Sequence, residues 1–181
     1  MGRPGGSIAA MSNTSSESAR ENLRGGPHAT RKFLVVVDKT PECKVALRFA
    51  TRRAQHTGGR VSLICIAQVG DFQQWRGVEE IMRDEAHEEA ESALHEAAKI
   101  VNDLSGLIPE LVIVHGDTAE CVMDLIKSDT DISILVLAAG TSKEGPGPLV
   151  SLVASPQAGT YPIPVTIVPG SLSDQAVDAL A

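Results

Sequence analysis

The chain has 181 residues, of which 43% are hydrophobic and 22% charged, and its formal net charge at pH 7 is −7. This mixture is typical of one globular domain, with or without a tail. So acidic a chain lacks the clustered cations that hold nucleic acid or an anionic membrane surface, and we expect neither partner. No apolar run approaches the roughly 18–20 residues of a membrane span. Residues 1–28 lack the hydrophobic segment of a secretory signal, so we expect a cytoplasmic protein.

Composition divides the chain into three parts. Residues 1–31 are rich in Gly, Ser and Arg and poor in apolar side chains, so we predict a disordered N-terminal arm there. Met11 is an alternative start to Met1, and the sequence does not choose between them. We predict one α/β domain over residues 32–170, followed by a tail over residues 171–181 that can form a short helix.

Five short runs of apolar residues predict the strands of this domain. Each run is continuous rather than alternating, which is typical of strands that are buried on both faces of a sheet. The runs cover residues 33–37, 61–67, 111–114, 132–138 and 165–168.

Amphipathic segments between these runs predict helices. The first helix is expected to start with Thr40 as its N-cap and to end at Gly58. A long acidic helix follows over Val78–Leu104, and the sequence does not reveal its role. Because strands and helices alternate, we predict a doubly wound α/β fold, in which helices cover both faces of a five-stranded parallel sheet.

The order of these motifs resembles the universal stress protein family, of the adenine-nucleotide α-hydrolase-like superfamily, from about Arg31 to Gly170. The resemblance rests on Val-Val-Val-Asp38, on the Gly116-Asp117 step, on Ile-Leu-Val-Leu-Ala-Ala-Gly140 and on Pro-Ile-Pro-Val-Thr-Ile-Val168. It implies the strand order 3-2-1-4-5 and a homodimer formed through the edge strand Val165–Val168. In one branch of the family it also implies ATP or another adenine nucleotide, with Mg²⁺ only where a nucleotide binds.

That strand order places a crevice at the carboxyl ends of strands one and four, where the chain reverses direction and ligands commonly bind. The resemblance implies that Asp38 contacts adenine, that a backbone group near Ile66 assists, and that the loop after strand four holds phosphate. The predicted ligand-binding residues are Asp38, Lys39, Ile66, Gly140, Thr141, Ser142, Lys143, Gly145 and Gly147.

The loop after strand four departs from the family pattern of Gly-x-x-Gly, nine residues and Gly-Ser or Gly-Thr. Lys143 stands where the second glycine is expected, and Ser151-Leu152 stands in the place of Gly-Ser. Pro146 and Pro148 each remove a backbone N–H donor. The sequence therefore indicates a degenerate ATP-binding loop, in which residues 141–143 still offer two hydroxyls and a cation.

Simpler structural roles exist for the same residues. Asp38 is also placed to cap the following helix, Gly140 to end a strand, and residues 145–148 to form a rigid connector. His87 lies on one helix face with Glu91 and His95, at a spacing that suits a metal ion. We expect no metal site, because no second element is seen to supply further ligands.

The sequence lacks a nucleophile elbow and the phosphate-binding motif of P-loop enzymes. We therefore expect no robust catalysis and predict a dimeric regulatory or binding module, with a small-ligand or nucleotide crevice between Asp38 and the Gly140 loop. One alternative is a slow ATP-hydrolysing enzyme of the same fold. The other is a ligand-free interaction scaffold that uses the acidic helix or the C-terminal tail.

Overall fold

A computed structural model describes residues 31–68, 76–143, 145–155 and 161–181. The arm expected over residues 1–31 lies outside the described residues except for Arg31. The division into arm, domain and tail therefore stays a prediction.

Five parallel strands form one sheet, in the order β3-β2-β1-β4-β5. The strands are β1 Lys32–Val36, β2 Arg60–Ala67, β3 Glu110–His115, β4 Ile132–Ala139 and β5 Val165–Pro169. Four strands contain a predicted apolar run in full, and β1 ends one residue before its run does; such runs suit a sheet that is covered on both sides. The predicted fold class and strand order are confirmed.

Helices cover both faces of the sheet. They are α1 Cys43–Thr57, α2 Arg76–Ser105, α3 Thr118–Ser128, α4 Pro148–Val153 and α5 Asp174–Leu180. Alternate residues of β1 point to opposite faces: Phe33 packs in the cluster under α1 and α2, and Leu34 in the cluster under α3 and α4. None of the helices in the described ranges has both the length and the apolarity of a membrane span.

The start of α1 corrects the predicted N-cap. The carboxylate of Asp38 accepts hydrogen bonds from the backbone N–H of Thr40 at 2.9 Å and from the Thr40 hydroxyl at 2.5 Å. This local turn delays the helix, which begins at Cys43 after an N-cap residue, Glu42, whose side chain makes no capping hydrogen bond. Asp38 thus closes a turn before α1 and does not cap it. The helix ends at Gly58, in the left-handed region with φ +65°, as predicted.

A buried cation joins the amino ends of the strands. The Lys32 side chain is 5% exposed, and its Nζ donates to Glu110 Oε2 and to Asp129 Oδ2, each at 2.7 Å. Arg60 extends the network to Asp131 at 2.8 Å. These ion pairs connect β1 to β3 and to the loop before β4. They lie at the end of the sheet where the strands begin, opposite the carboxyl ends.

Candidate functional site

A cavity of about 390 Å³ opens at the carboxyl ends of β1, β2 and β4. Helix α2 forms one wall, and the residues at the start of α4 form another. The cavity therefore lies at the reversal point of the sheet, where the sequence predicted a crevice.

The ends of β1 and β2 place polar groups at the cavity. Asp38 follows β1, and only its Oδ1 is used by Thr40; within the described part of the chain, Oδ2 makes no hydrogen bond. Ile66 and Gln68 lie on the wall formed by β2, and the Gln68 amide donates to the Thr118 hydroxyl at 3.2 Å. An exposed carboxylate oxygen here can accept a hydrogen bond from a ligand amine.

Small side chains of α2 leave the space that the cavity occupies. Ala86, Ala90 and Ala93 face it at intervals of three and four residues, which is the spacing of one helix face. Their apolar surface suits a flat, weakly polar group such as a nucleobase. A run of alanines on a buried helix face is the sequence signal for such a space.

An ion pair links β1 to α2 at the cavity. Lys39 Nζ lies 2.6 Å from Glu89 Oε2, and the two side chains are 75% and 64% exposed. Both residues line the cavity. Glu89 was not predicted as a site residue, because only the folded chain brings α2 to the end of β1.

The loop after β4 folds back on itself. Gly140 N–H donates to the Pro146 carbonyl at 3.1 Å, and a side chain at Gly140 would meet the Gly145 carbonyl at 2.9 Å. Gly145 and Gly147 have φ values of +99° and +98°, which favour glycine. As a result the later part of the loop, Pro146 to Pro148, reaches the cavity.

The earlier part of the loop is attached to α1. Thr141 donates to Glu42 Oε1 from its backbone N–H at 3.2 Å and from its hydroxyl at 3.4 Å. Hydrogen bonds from the backbone N–H groups of Glu42 and Thr141 hold the pKa of the Glu42 carboxyl below its usual value. The same junction is closed by Gly170, where a side chain would meet Glu42 Cγ.

The structure thus separates the predicted site residues into two groups. Those that line the cavity are Asp38, Lys39, Ile66 and Gly147. Those that do not line it are Gly140, Thr141, Ser142, Lys143 and Gly145. Whether either group binds a ligand stays a prediction.

Two thiols complete the cavity wall. Burial raises the pKa of Cys43 to about 11 and also raises the pKa of Cys65. A cysteine in the first turn of a helix is often acidified by the helix, but burial outweighs that effect at Cys43. Both thiols stay protonated at neutral pH, so they act as small apolar groups and not as nucleophiles.

One of the two histidines of the acidic helix, His87, has a neighbour from another element. His87 Nδ1 of α2 lies 3.4 Å from Nε2 of His115 at the end of β3, with the rings 5.6 Å apart. Within the described residues, no group of three or more His, Cys, Asp or Glu is placed to hold a metal ion.

Comparison with known proteins supports the assignment of the fold. The universal stress protein UspA from Lactobacillus plantarum is 19% identical, with a TM-score of 0.66 over 76% of this chain and 97% of that one. A universal stress protein in complex with cAMP is 16% identical, with a TM-score of 0.57 over 79% and 99%. An Arabidopsis thaliana family member with AMP bound is 14% identical, with a TM-score of 0.55 over 77% and 91%. No curated protein matches the sequence significantly.

At these identities, the structures establish the fold alone. The family model described as "Universal stress protein family" matches residues 29–169, which is most of the chain. The chain belongs to the universal stress protein family.

Proposed function

We propose that this protein is a regulatory binding module whose crevice binds an adenine nucleotide. The observation that carries the proposal is the cavity at the reversal point of the sheet, with an available carboxylate oxygen of Asp38 at its lip. Its volume of about 390 Å³ falls in the range of roughly 300–1,000 Å³ that is usual for small-molecule sites. Structures of similar fold carry AMP and cAMP, which supports this ligand class.

In this proposal, Asp38 Oδ2 accepts a hydrogen bond from the adenine amino group, and the backbone near Ile66 contacts the base edge. The ring packs against Ala86 and Ala90, whose methyl groups are apolar and line the cavity. Mg²⁺ enters only with a bound nucleotide. The role is ligand sensing in the cytoplasm and not turnover.

The substitution Asp38→Asn tests the site. The amide introduced there keeps an oxygen for the Thr40 hydrogen bonds, but it replaces the second carboxylate oxygen with an N–H donor that faces the adenine amino group. We expect calorimetry to show saturable AMP binding by the wild type, and binding at least about tenfold weaker by this variant. The control is Asp124→Asn, an exposed carboxylate of α3 near Lys127, which should bind AMP as the wild type does.

Three other results would separate the alternatives. Unchanged affinity in Asp38→Asn contradicts the site, and absence of AMP binding at millimolar concentration favours an interaction scaffold. Linear formation of ADP from ATP, at a rate proportional to protein concentration, would favour the slow enzyme.

We further propose a homodimer through β5. This strand is an edge of the sheet, and Ile167 on it is 38% exposed. Pairing with a second copy would satisfy the edge N–H and C=O groups and bury Ile167. Sedimentation should show a dimer for the wild type at micromolar concentration and a monomer for Ile167→Lys. A monomeric wild type would contradict the proposed dimer.

A further inference from the structure

The charges around the crevice do not suit a chain of phosphates. Among the described lining residues, the carboxylates of Asp38 and Glu89 outnumber the single ammonium group of Lys39. That ammonium group lies 2.6 Å from Glu89, so a phosphate that approaches Lys39 must displace a carboxylate or lie beside it. Each further phosphate of a nucleotide adds negative charge next to these two groups.

Three backbone N–H donors in the described part of the loop after β4 are already bonded within the protein. Phosphate sites of this type depend on several N–H groups that converge on one point. Here the N–H of Gly140 donates to Pro146 and the N–H of Gly145 donates to the Ser142 carbonyl, at 3.1 and 3.2 Å. These two N–H groups therefore form hydrogen bonds within the loop itself.

The next backbone N–H of the loop, that of Thr141, donates to the carboxylate of Glu42. Glu42 accepts from the N–H and the hydroxyl of Thr141, as an external anion would. Lys143, the cation of the loop, does not line the cavity, and Pro146 and Pro148, which do, have no N–H. The N–H groups of Gly140, Thr141 and Gly145 are thus bonded within the protein, and neither they nor Lys143 line the crevice.

From these contacts we infer that the crevice selects the nucleoside part of its ligand and discriminates against a polyphosphate chain. The ligand class is adenosine or a nucleotide with one phosphate, and ATP binds more weakly. Glu89 is the specificity-determining residue, because it both pairs with Lys39 and places a negative charge on the path of the phosphates. This inference rests on the proposed function, since it concerns the same crevice.

The test is a titration of the full chain with adenosine, AMP, ADP and ATP at one ionic strength, with and without Mg²⁺. Adenosine and AMP should bind with dissociation constants within about threefold of each other, because neither places more than one phosphate beside the carboxylates. ATP should bind at least about tenfold more weakly than AMP, since it adds two phosphates without partners.

The variant Glu89→Gln separates charge from shape. It removes one carboxylate and frees Lys39, so ATP affinity should rise about three- to tenfold while adenosine affinity stays the same. The matched control is Glu96→Gln, an exposed glutamate two turns further along α2 that lies 3.9 Å from Lys44 and does not line this cavity. It should leave all four affinities unchanged.

The outcomes separate this inference from the proposed function. ATP binding as tight as AMP, or tighter, overturns the selectivity while the adenine site stands. Equal effects of Glu89→Gln and Glu96→Gln overturn the role of Glu89. Failure of all four ligands to bind overturns the proposed function itself.

Discussion

The two ends of the sheet carry ion pairs of almost the same length in opposite surroundings. At the amino ends of the strands, Lys32 is 2.7 Å from each of two carboxylates and almost wholly buried. At the carboxyl ends, Lys39 is 2.6 Å from Glu89 and three-quarters exposed. The length of an ion pair therefore says little about its contribution to stability, which depends on how far the charges are removed from water.

This difference assigns different tasks to the two ends. The buried network of Lys32, Glu110 and Asp129 joins three chain segments through a cation that is 5% exposed, so opening it costs more free energy than opening a fully exposed pair. The exposed pair beside the cavity can be broken cheaply, because water replaces each partner. A ligand site needs charged groups that can exchange partners at a small cost in free energy, and such groups lie where the cavity opens.

The largest expected effect is that of Lys32→Met. It leaves the Glu110 and Asp129 carboxylates, which are 45% and 28% exposed, close together without their shared cation, so the free energy of unfolding should fall by about 1.5 kcal/mol. Urea unfolding followed by circular dichroism measures it. The control Lys39→Met should cost no more than about 0.5 kcal/mol. Similar losses in the two variants would contradict the contrast between the two ends.

Acid should release the C-terminal helix α5 through Asp178. Hydrogen bonds from Arg48 and Arg52 lower the pKa of the Asp178 carboxyl to about 2. Because this pKa is below its unfolded value near 3.8, the stabilisation is full above pH 4 and is lost as the pH falls through 2. Thermal unfolding between pH 4 and 2 should therefore show a smaller decline in Asp178→Asn than in the wild type. Parallel declines would refute the role of this clamp.

Raising the pH should destabilise the amino end of the sheet through deprotonation of Lys32. Burial alone would lower the pKa of Lys32, but hydrogen bonds to Asp129 and Glu110 raise it above its usual 10.5. Since the folded pKa is the higher one, the stabilisation is full below about pH 10.5 and is lost as the pH rises through the folded value. Lys32→Met should lack this alkaline loss in the same unfolding measurement, and an equal loss in both proteins would contradict it.

The fold was predictable because a local run of apolar residues indicates each strand. The run before Asp38 is apolar throughout and the run before Gly140 is interrupted only by Ser133, and such runs suit a covered parallel sheet wherever they occur in the chain. The cap of α1 was not predictable in the same way. The side chains of Asp38 and Thr40 can each accept a hydrogen bond from a nearby backbone N–H group. The sequence does not show which of them does so, and in the structure Asp38 accepts from Thr40.

The crevice was predictable in place but only partly in composition. The place of Asp38 follows from strand order, since it lies at the end of β1, and Ile66 was implied by the family resemblance; both line the cavity. The attachment of Thr141 to Glu42 depends on a contact between residues 99 positions apart. No local pattern records such a contact, and the same is true of Glu89, which reaches the crevice through the packing of α2.

The most direct test of the account is the mapping of AMP onto the backbone amide signals of the protein by NMR. Saturating AMP should shift the amides of the cavity wall, including Asp38, Ile66, Ala90 and Gly147. It should leave those of the buried network, Lys32, Glu110 and Asp129, unchanged. Shifts centred on the buried network, or no saturable shifts at all, would contradict the claim that the carboxyl end of the sheet is the binding end.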